Sequence, residues 1–361
     1  MSKGTTYKRN DGRFESRISV GKDKNGKRRY RSFYGKTREE AEYKLMIFQS
    51  QTEQEYAVTE LTVKELGFEW LHTVSARLKE STKANYRMKL EKHIIPEFGG
   101  RQCCLMKAKE IYTFVEKKLK SGLSARYVSD ILVLLKSLFK YASRTYQIKN
   151  ILDGFVMPKK EKPNISILTD EQKKHLERYI TENQSLTTLG ISISMHMGLR
   201  IGEVCALQWD DVDFQKRTVT VRKTVQRIQN FSGKNKTKVI VTEPKSAKSM
   251  REIPIPECLI STLKAFKSAQ TGTYILSGNL NPIEPRVLQY RFQKILKNAE
   301  LPSVHFHSLR HLFATNCVAL GFDIKTLSEI LGHSSVEITL NRYVHSSMDR
   351  KRICMNLITV M

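Results

Sequence analysis

The stretch 305–316, HFHSLRHLFATN, gathers His305, His307, Arg310 and His311 within seven positions. His307 and His311 are four apart, a spacing that lets two imidazoles share a metal on one helix face. The arginine argues otherwise. A bound cation would sit beside Arg310, with no nearby carboxylate as general base, and the His-Glu-x-x-His pattern is absent. No metal is expected, and His305 and His311 are read as packing or supporting groups. Elsewhere, HMGLRIGEVCALQWDDV (196–212) sets Arg200 directly after a Gly-Leu helix end, where it opens a short helix and can project its guanidinium from the rim of a core. TEPKSAKSMREIPIP (242–256) puts Lys245 in a tight turn between two strand-like runs, with Lys248 as its rival in the same turn. LGHSSVEITLNRYVH (331–345) adds His333 and, ten residues on, Tyr343. Taken singly, each of these has an ordinary role as a surface charge or a packing ring.

Taken together, the order Arg…Lys…His-x-x-Arg…His…Tyr over 169–361 resembles the tyrosine recombinase family, the phage-type integrases. The look is closest to integrases of temperate phages and conjugative transposons of Gram-positive bacteria. The resemblance implies a site-specific DNA recombinase that cleaves and rejoins DNA through a 3′-phosphotyrosyl intermediate, to integrate and excise a mobile element. It implies no cofactor and no membrane. The implied partners are double-stranded DNA with core-type and arm-type attachment sites, a homotetramer on that DNA, an excision factor and a host DNA-bending protein, all in the bacterial cytoplasm.

The chemistry of the residues agrees with those roles. A phosphodiester is a poor, negatively charged electrophile, and attack by an oxygen builds charge on its non-bridging oxygens. Two guanidiniums, Arg200 and Arg310, supply fixed planar donors for that charge. Tyr343 is the nucleophile. A phenol ionises near pH ~10, so it is easier to activate than an alkyl hydroxyl and leaves well in the reverse step. His307 would bond the phosphate or take the tyrosine proton, His333 would donate a further hydrogen bond, and Lys245 would protonate the departing 5′ oxygen. Glu203, three residues after Arg200, would orient the site or simply be a helix-start carboxylate. Tyr274 and Tyr290 are rival nucleophiles on paper, but neither follows the histidine motif.

Bulk composition points the same way. Lys plus Arg is 62 against 36 Asp plus Glu in 361 residues, a net of +26, and a polyanionic partner is the simplest explanation. Six cysteines without a C-x-x-C pair argue against a zinc ribbon and a disulfide frame, and fit a reducing compartment. No apolar run is long enough to span a membrane, and the opening MSKGTTYKRNDGR lacks a signal-peptide core.

The elements that position these residues read as an α+β multidomain chain. Residues 1–56 form a small basic β-sheet-plus-helix module. GRFESRISVG and DKNGKRRYRSFYG are strand-like runs, with an Asn25-Gly26 turn inside the second, and TREEAEYKLMIFQSQ is a helix capped by Thr37. By resemblance this is an arm-type DNA-binding domain, with Arg13, Arg17, Lys27, Arg28, Arg29 and Arg31 as DNA contacts. Residues 60–155 read as helices, by resemblance a core-binding domain. One is capped by Ser81-Thr82, runs to about Ile94 and ends at Pro96 and Gly99-Gly100. Another covers Ala108 to Lys120. A third has an apolar stripe from Val128 to Ala142, backed by Arg126, Lys136, Lys140 and Arg144. Of these, Lys136 and Lys140 are taken as DNA contacts. Residues 166–361 read as a mostly helical catalytic domain with one small antiparallel sheet. Its strands are expected at 217–227, 238–243 and 251–255. Its helices are expected after a Thr169–Gln172 capping box and at 185–197, 256–269, 285–299, 307–320 and 323–331.

Two competing readings share this chemistry: a DNA-binding regulator that lost catalysis, and a type IB topoisomerase. The full catalytic set weighs against the first, and the basic N-terminal module against the second. The apolar tail 353–361, ICMNLITVM, is expected to dock, either on its own catalytic domain or on a neighbouring protomer.

Overall fold

The computed structural model describes residues 4–22, 26–159, 167–231, 233, 235–244, 249–343, 352 and 355–356, with the backbone alone at 52–59 and 342. Lys245, Lys248, Asn25 and nearly all of the tail 353–361 lie outside the described residues. The chain divides into two units, Met1–Glu161 and Lys162–Met361.

In the first unit, strands β1 (Thr5–Lys8), β2 (Phe14–Lys22) and β3 (Arg28–Gly35) form an antiparallel sheet in that order. Helix α1 (Arg38–Glu60), capped by the Thr37 side chain, buries Ala41 and Leu45 in the same small core as Ile18. Gly35 lets α1 approach, because a Cβ there would lie 2.6 Å from the Ala41 amide nitrogen. The helix continues without a break through the boundary expected at 56–60.

The rest of this unit is helical: α2 (Val63–Ser75), α3 (Glu80–Lys89), α4 (Ile95–Phe98), α5 (Ala108–Lys120) and α6 (Ala125–Tyr146). The stripe of α6 is buried from Val128 through Ala142, while Arg126, Lys136, Lys140 and Arg144 are exposed. Two expectations fail here. Lys79, not Ser81 or Thr82, occupies the N-cap of α3, without a side-chain cap. Nor does Pro96 stop the helix. A π-turn, Leu90–Ile94, intervenes, and the Ile95 N–H bonds Leu90 O five residues back. That wider turn shifts the hydrogen-bond register just ahead of Pro96, which has no N–H to contribute.

The second unit carries α7 (Asp170–Glu182), α8 (Leu186–Met197), α9 (Ile201–Ala206), α10 (Glu257–Ser268), α11 (Pro285–Asn298), α12 (His307–Ala319), α13 (Ile324–Leu331) and α14 (Val336–Tyr343). The Thr169–Gln172 capping box is formed. Nearly all of α8 from Thr188 on is buried, making it the centre of the core. The expected strand 217–227 is two strands, so the described β-structure forms two small sheets. In one, β4 (Val212–Asp213), β5 (Thr218–Val221) and β8 (Arg251–Pro254) pair in the order β4-β5-β8; in the other, β6 (Thr224–Gln229) pairs β7 (Thr237–Thr242). The break falls where Arg222 turns to Asp211 (2.6 Å) and Lys223 to the Gln208 side chain (2.9 Å). Among the described residues, no helix is long and apolar enough to cross a membrane.

Candidate active site

Helix α8 ends in a left-handed glycine, Gly198 (φ 68°), packed so closely that a Cβ would meet the Phe313 ring at 2.5 Å. No other residue type turns the chain there without strain. The turn delivers Arg200 as the N-cap of α9. Glu203 accepts from the Arg200 backbone N–H (3.0 Å) and from Nη1 (2.8 Å), while Nη2 of Arg200 donates to Gly332 O (3.3 Å).

Arg310 projects from α12, which packs against α8. It is 1% exposed, the largest fully buried side chain among the described residues. Its guanidinium donates to Gly198 O (2.8 Å) and Leu331 O (2.6 Å), and those bonds make the burial tolerable. Burial, followed by the nearby charge of Arg200, brings its pKa down to about 9, which leaves it cationic at neutral pH. A desolvated cation of this kind interacts with an anion far more strongly than one in water.

Glu203 is 3% exposed. Burial opposes its ionisation, but the charges and hydrogen bonds of Arg251 and Arg200 outweigh that and hold its carboxyl down at about 2. Sequence reasoning missed Arg251. Its Nη2 and Nη1 lie 2.9 and 3.3 Å from the two Glu203 oxygens. A signal was present, because side chains alternate faces along a strand. Arg251 therefore shares its face with the buried Ile253 and Ile255, an inward position unusual for an unpaired charge.

The histidines and the tyrosine converge from three elements. His307, exposed at the start of α12, has its ring 4.7 Å from that of His311, edge to face. His311 is buried, and its ring is 5.5 Å from Tyr343. His333 follows Gly332 (φ 63°), the left-handed cap of α13. Its Nδ1 pairs with the Thr339 hydroxyl at 2.8 Å, and its ring lies parallel to that of Tyr343, 6.3 Å away. Tyr343, the last residue of α14, is 7% exposed and packs with Ala314, Cys317, Val318, Leu327 and Leu331. Arg200, Arg310, His307, His333 and Tyr343 are thus brought together, with Glu203 behind them. His305 is exposed, Tyr274 is buried elsewhere in the core, and Tyr290 is exposed.

In the N-terminal sheet, strand alternation splits the basic run. Arg17 pairs across from Ser32 on the open face and lies 4.4 Å from the Tyr30 ring centre, with Arg28 on the same face by alternation. Arg31 pairs with Ile18 on the α1 side, 4.5 Å from Phe48, and Arg29 falls on that side too. Arg13 precedes β2 and is bonded to Asp11 (2.9 Å), and Lys27 is exposed before β3.

The description "Phage integrase family" matches residues 166–350, and "Phage integrase, N-terminal SAM-like domain" matches 62–119. A "Tyrosine recombinase XerC-like" protein of Caldanaerobacter subterraneus subsp. tengcongensis is 30% identical, over 96% of this chain and 95% of its own. The ICEBs1 integrase of Bacillus subtilis is 26% identical over 72% of this chain and 73% of its own. Among solved structures, the Tn1549 transposon integrase in complex with a circular intermediate DNA shares the fold, with a TM-score of 0.69 and 23% identity over 82% of this chain and 99% of that one. The chain belongs to the phage integrase family of tyrosine recombinases. It is a tyrosine-type site-specific DNA recombinase, an enzyme that breaks and rejoins DNA strands.

Proposed function

We propose that this recombinase integrates and excises a mobile element, with Tyr343 as the nucleophile that forms the 3′-phosphotyrosyl link. Arg200 and Arg310 bind the non-bridging oxygens of the scissile phosphate and stabilise the charge that builds there. His333 donates a hydrogen bond to the phosphate, and His307 either does the same or takes the tyrosine proton. Lys245, or its rival Lys248, delivers a proton to the departing 5′ oxygen. Because Tyr343 is buried among α12 and α13 side chains, attack requires α14 to shift toward the DNA.

The observation that carries this reading is the meeting at one turn. The two arginines bind the successive carbonyls of Leu331 and Gly332, and the next residue, His333, has its ring parallel to Tyr343. The test is incubation with a nicked attachment-site duplex, a denaturing gel, and peptide mapping of the adduct. A phosphopeptide bearing DNA at any residue other than Tyr343 would overturn the assignment.

The DNA-contact roles follow from charge. Residues 1–38 hold 13 Lys or Arg against three acidic residues, and 61–162 hold 21 against 10. We assign residues 1–56 to arm-type sites, led by Arg17, Arg28 and Lys27 with Arg13, Arg29 and Arg31 alongside. Residues 60–155 take core-type sites, with Lys136 and Lys140 on the exposed face of α6, and 166–361 form the catalytic domain. The working assembly is a tetramer on DNA in the bacterial cytoplasm, joined by an excision factor and a host DNA-bending protein.

A further inference from the structure

We infer that Arg251 is a positioning residue for strand cleavage: by occupying Glu203 and clamping the end of α13, it keeps Arg200 available to the phosphate and in register with His333. This rests on the reading of Arg200 and His333 as phosphate ligands.

The geometry is a closed circuit. Arg251 donates to both oxygens of Glu203, and the same carboxylate accepts from Arg200. Arg200 reaches Gly332 O, and the circuit returns to Arg251, whose Nε donates to Ile330 O at 2.5 Å. A further bond, Nη1 to Ser249 O at 3.1 Å, ties the side chain to the backbone two residues before β8 begins. The guanidinium also packs on the turn itself, since a Cβ at Gly332 would lie 3.0 Å from the Arg251 Cδ and Nη1.

Charge explains why the second arginine matters. Arg200 and Glu203 alone form a neutral pair, and a carboxylate with no other partner draws a guanidinium into a two-pronged clamp. Arg200 held that way has less to offer an anionic phosphate. With Arg251 already on Glu203, the triad carries one net positive charge, and the Arg200 side chain stays 36% exposed. A role in stability alone is the ordinary alternative. A buried ion pair is a weak source of stability compared with apolar packing, and stability alone gives no reason for the network to end on α13 two residues before Gly332.

The test uses the full-length protein, a nicked attachment-site duplex, and the same duplex with a methylphosphonate at the scissile position. The methyl group replaces a non-bridging oxygen and removes the charge that the arginines neutralise. Arg251→Met should slow single-turnover cleavage of the phosphate about 10- to 100-fold, with DNA affinity changed less than about threefold, and most of that loss should vanish on the methylphosphonate. Equal losses on the two substrates, or no loss, overturn the inference. If Arg251→Met does not fold, Arg251→Lys, which keeps the charge and loses the fork, is read the same way. If neither variant folds at the assay temperature, Arg251 is a folding residue only and the inference falls. Arg200→Lys is the control. A phosphate-specific loss there but not at Arg251 sinks this inference alone, and its absence at Arg200 sinks the site reading beneath it.

Discussion

Arg200 and Arg310, 110 positions apart in the sequence, donate to adjacent carbonyls, Gly332 O at 3.3 Å and Leu331 O at 2.6 Å. The left-handed cap of α13 is therefore the point where the two cations are indexed against each other, and His333 leaves from it. The His333 ring in turn lies parallel to that of Tyr343, 6.3 Å away. On the proposed roles, these fixed cationic donors would stabilise the transition state, and each part is separately testable.

Tyr343→Phe should abolish the covalent adduct while DNA affinity stays within a few-fold, because one hydroxyl is lost from a largely electrostatic interface. The paired measurements are a denaturing gel for the adduct and a gel shift for binding. An adduct formed by the variant would mean that another residue attacks.

Arg200→Ala and Arg310→Ala should each slow cleavage by about 10²- to 10³-fold or more, as for loss of a charged donor to a transition state. The two should differ in stability. Arg310 is fully buried and bonds two backbone carbonyls, so its removal leaves a cavity and two buried acceptors and should lower the melting temperature clearly. Arg200 is partly exposed, and its removal should cost less. Near-normal cleavage by either variant removes that residue from the site.

Cleavage should proceed in EDTA. On the proposed mechanism, Arg200, Arg310 and the lysine would supply the positive charge that a metal supplies in other phosphoryl-transfer sites. Measured rates that depend strictly on added Mg²⁺ or Zn²⁺ would contradict the mechanism.

Much of this was legible in the sequence, because local rules govern it. The stripe of α6, the Gly198 stop and the Thr169 cap each follow from residues within a turn or two. What escaped depends on partners distant in sequence. The burial of Arg310 needs carbonyls 112 and 21 residues away, and the role of Glu203 needs Arg251, 48 residues on. Pro96 misled because a π-turn, which no composition rule signals, absorbed it. The division of 217–227 escaped because the Arg222 and Lys223 side chains find partners in 208–211, outside the strand.

Glu203→Gln should expose the ion triad through pH. The carboxyl's folded pKa of about 2 lies below its ordinary 4.5, so its pairing contributes stability that is whole above about pH 4.5 and fades as pH falls toward 2. At pH 7 the substitution should cost on the order of 3 kcal/mol. The melting-temperature gap between the parent and the variant should close steadily below pH 4.5. A gap of the same size at pH 7 and at pH 3 would mean that Glu203 is not held ionised by its arginines.

The last prediction separates the lysines. Lys245 and Lys248 belong to the segment joining β7, which ends at Thr242, to β8, which starts at Arg251, and chain position alone serves both equally. Their chemistry does not. A general acid is needed because the 5′ alkoxide is a strong base and leaves poorly without a proton. Replacing that bridging oxygen with sulfur changes the need, since a thiol ionises near pH ~8.5 and departs as thiolate unaided. A variant lacking the acid should therefore fail on ordinary DNA and recover on the 5′-phosphorothiolate. A variant lacking an arginine should fail on both, because charge on the non-bridging oxygens is unchanged. Lys245→Ala is expected to show the recovery, and Lys248→Ala is expected to cleave ordinary DNA within about tenfold of the parent. The reverse pattern would transfer the role to Lys248, and recovery by neither would mean that the proton comes from elsewhere.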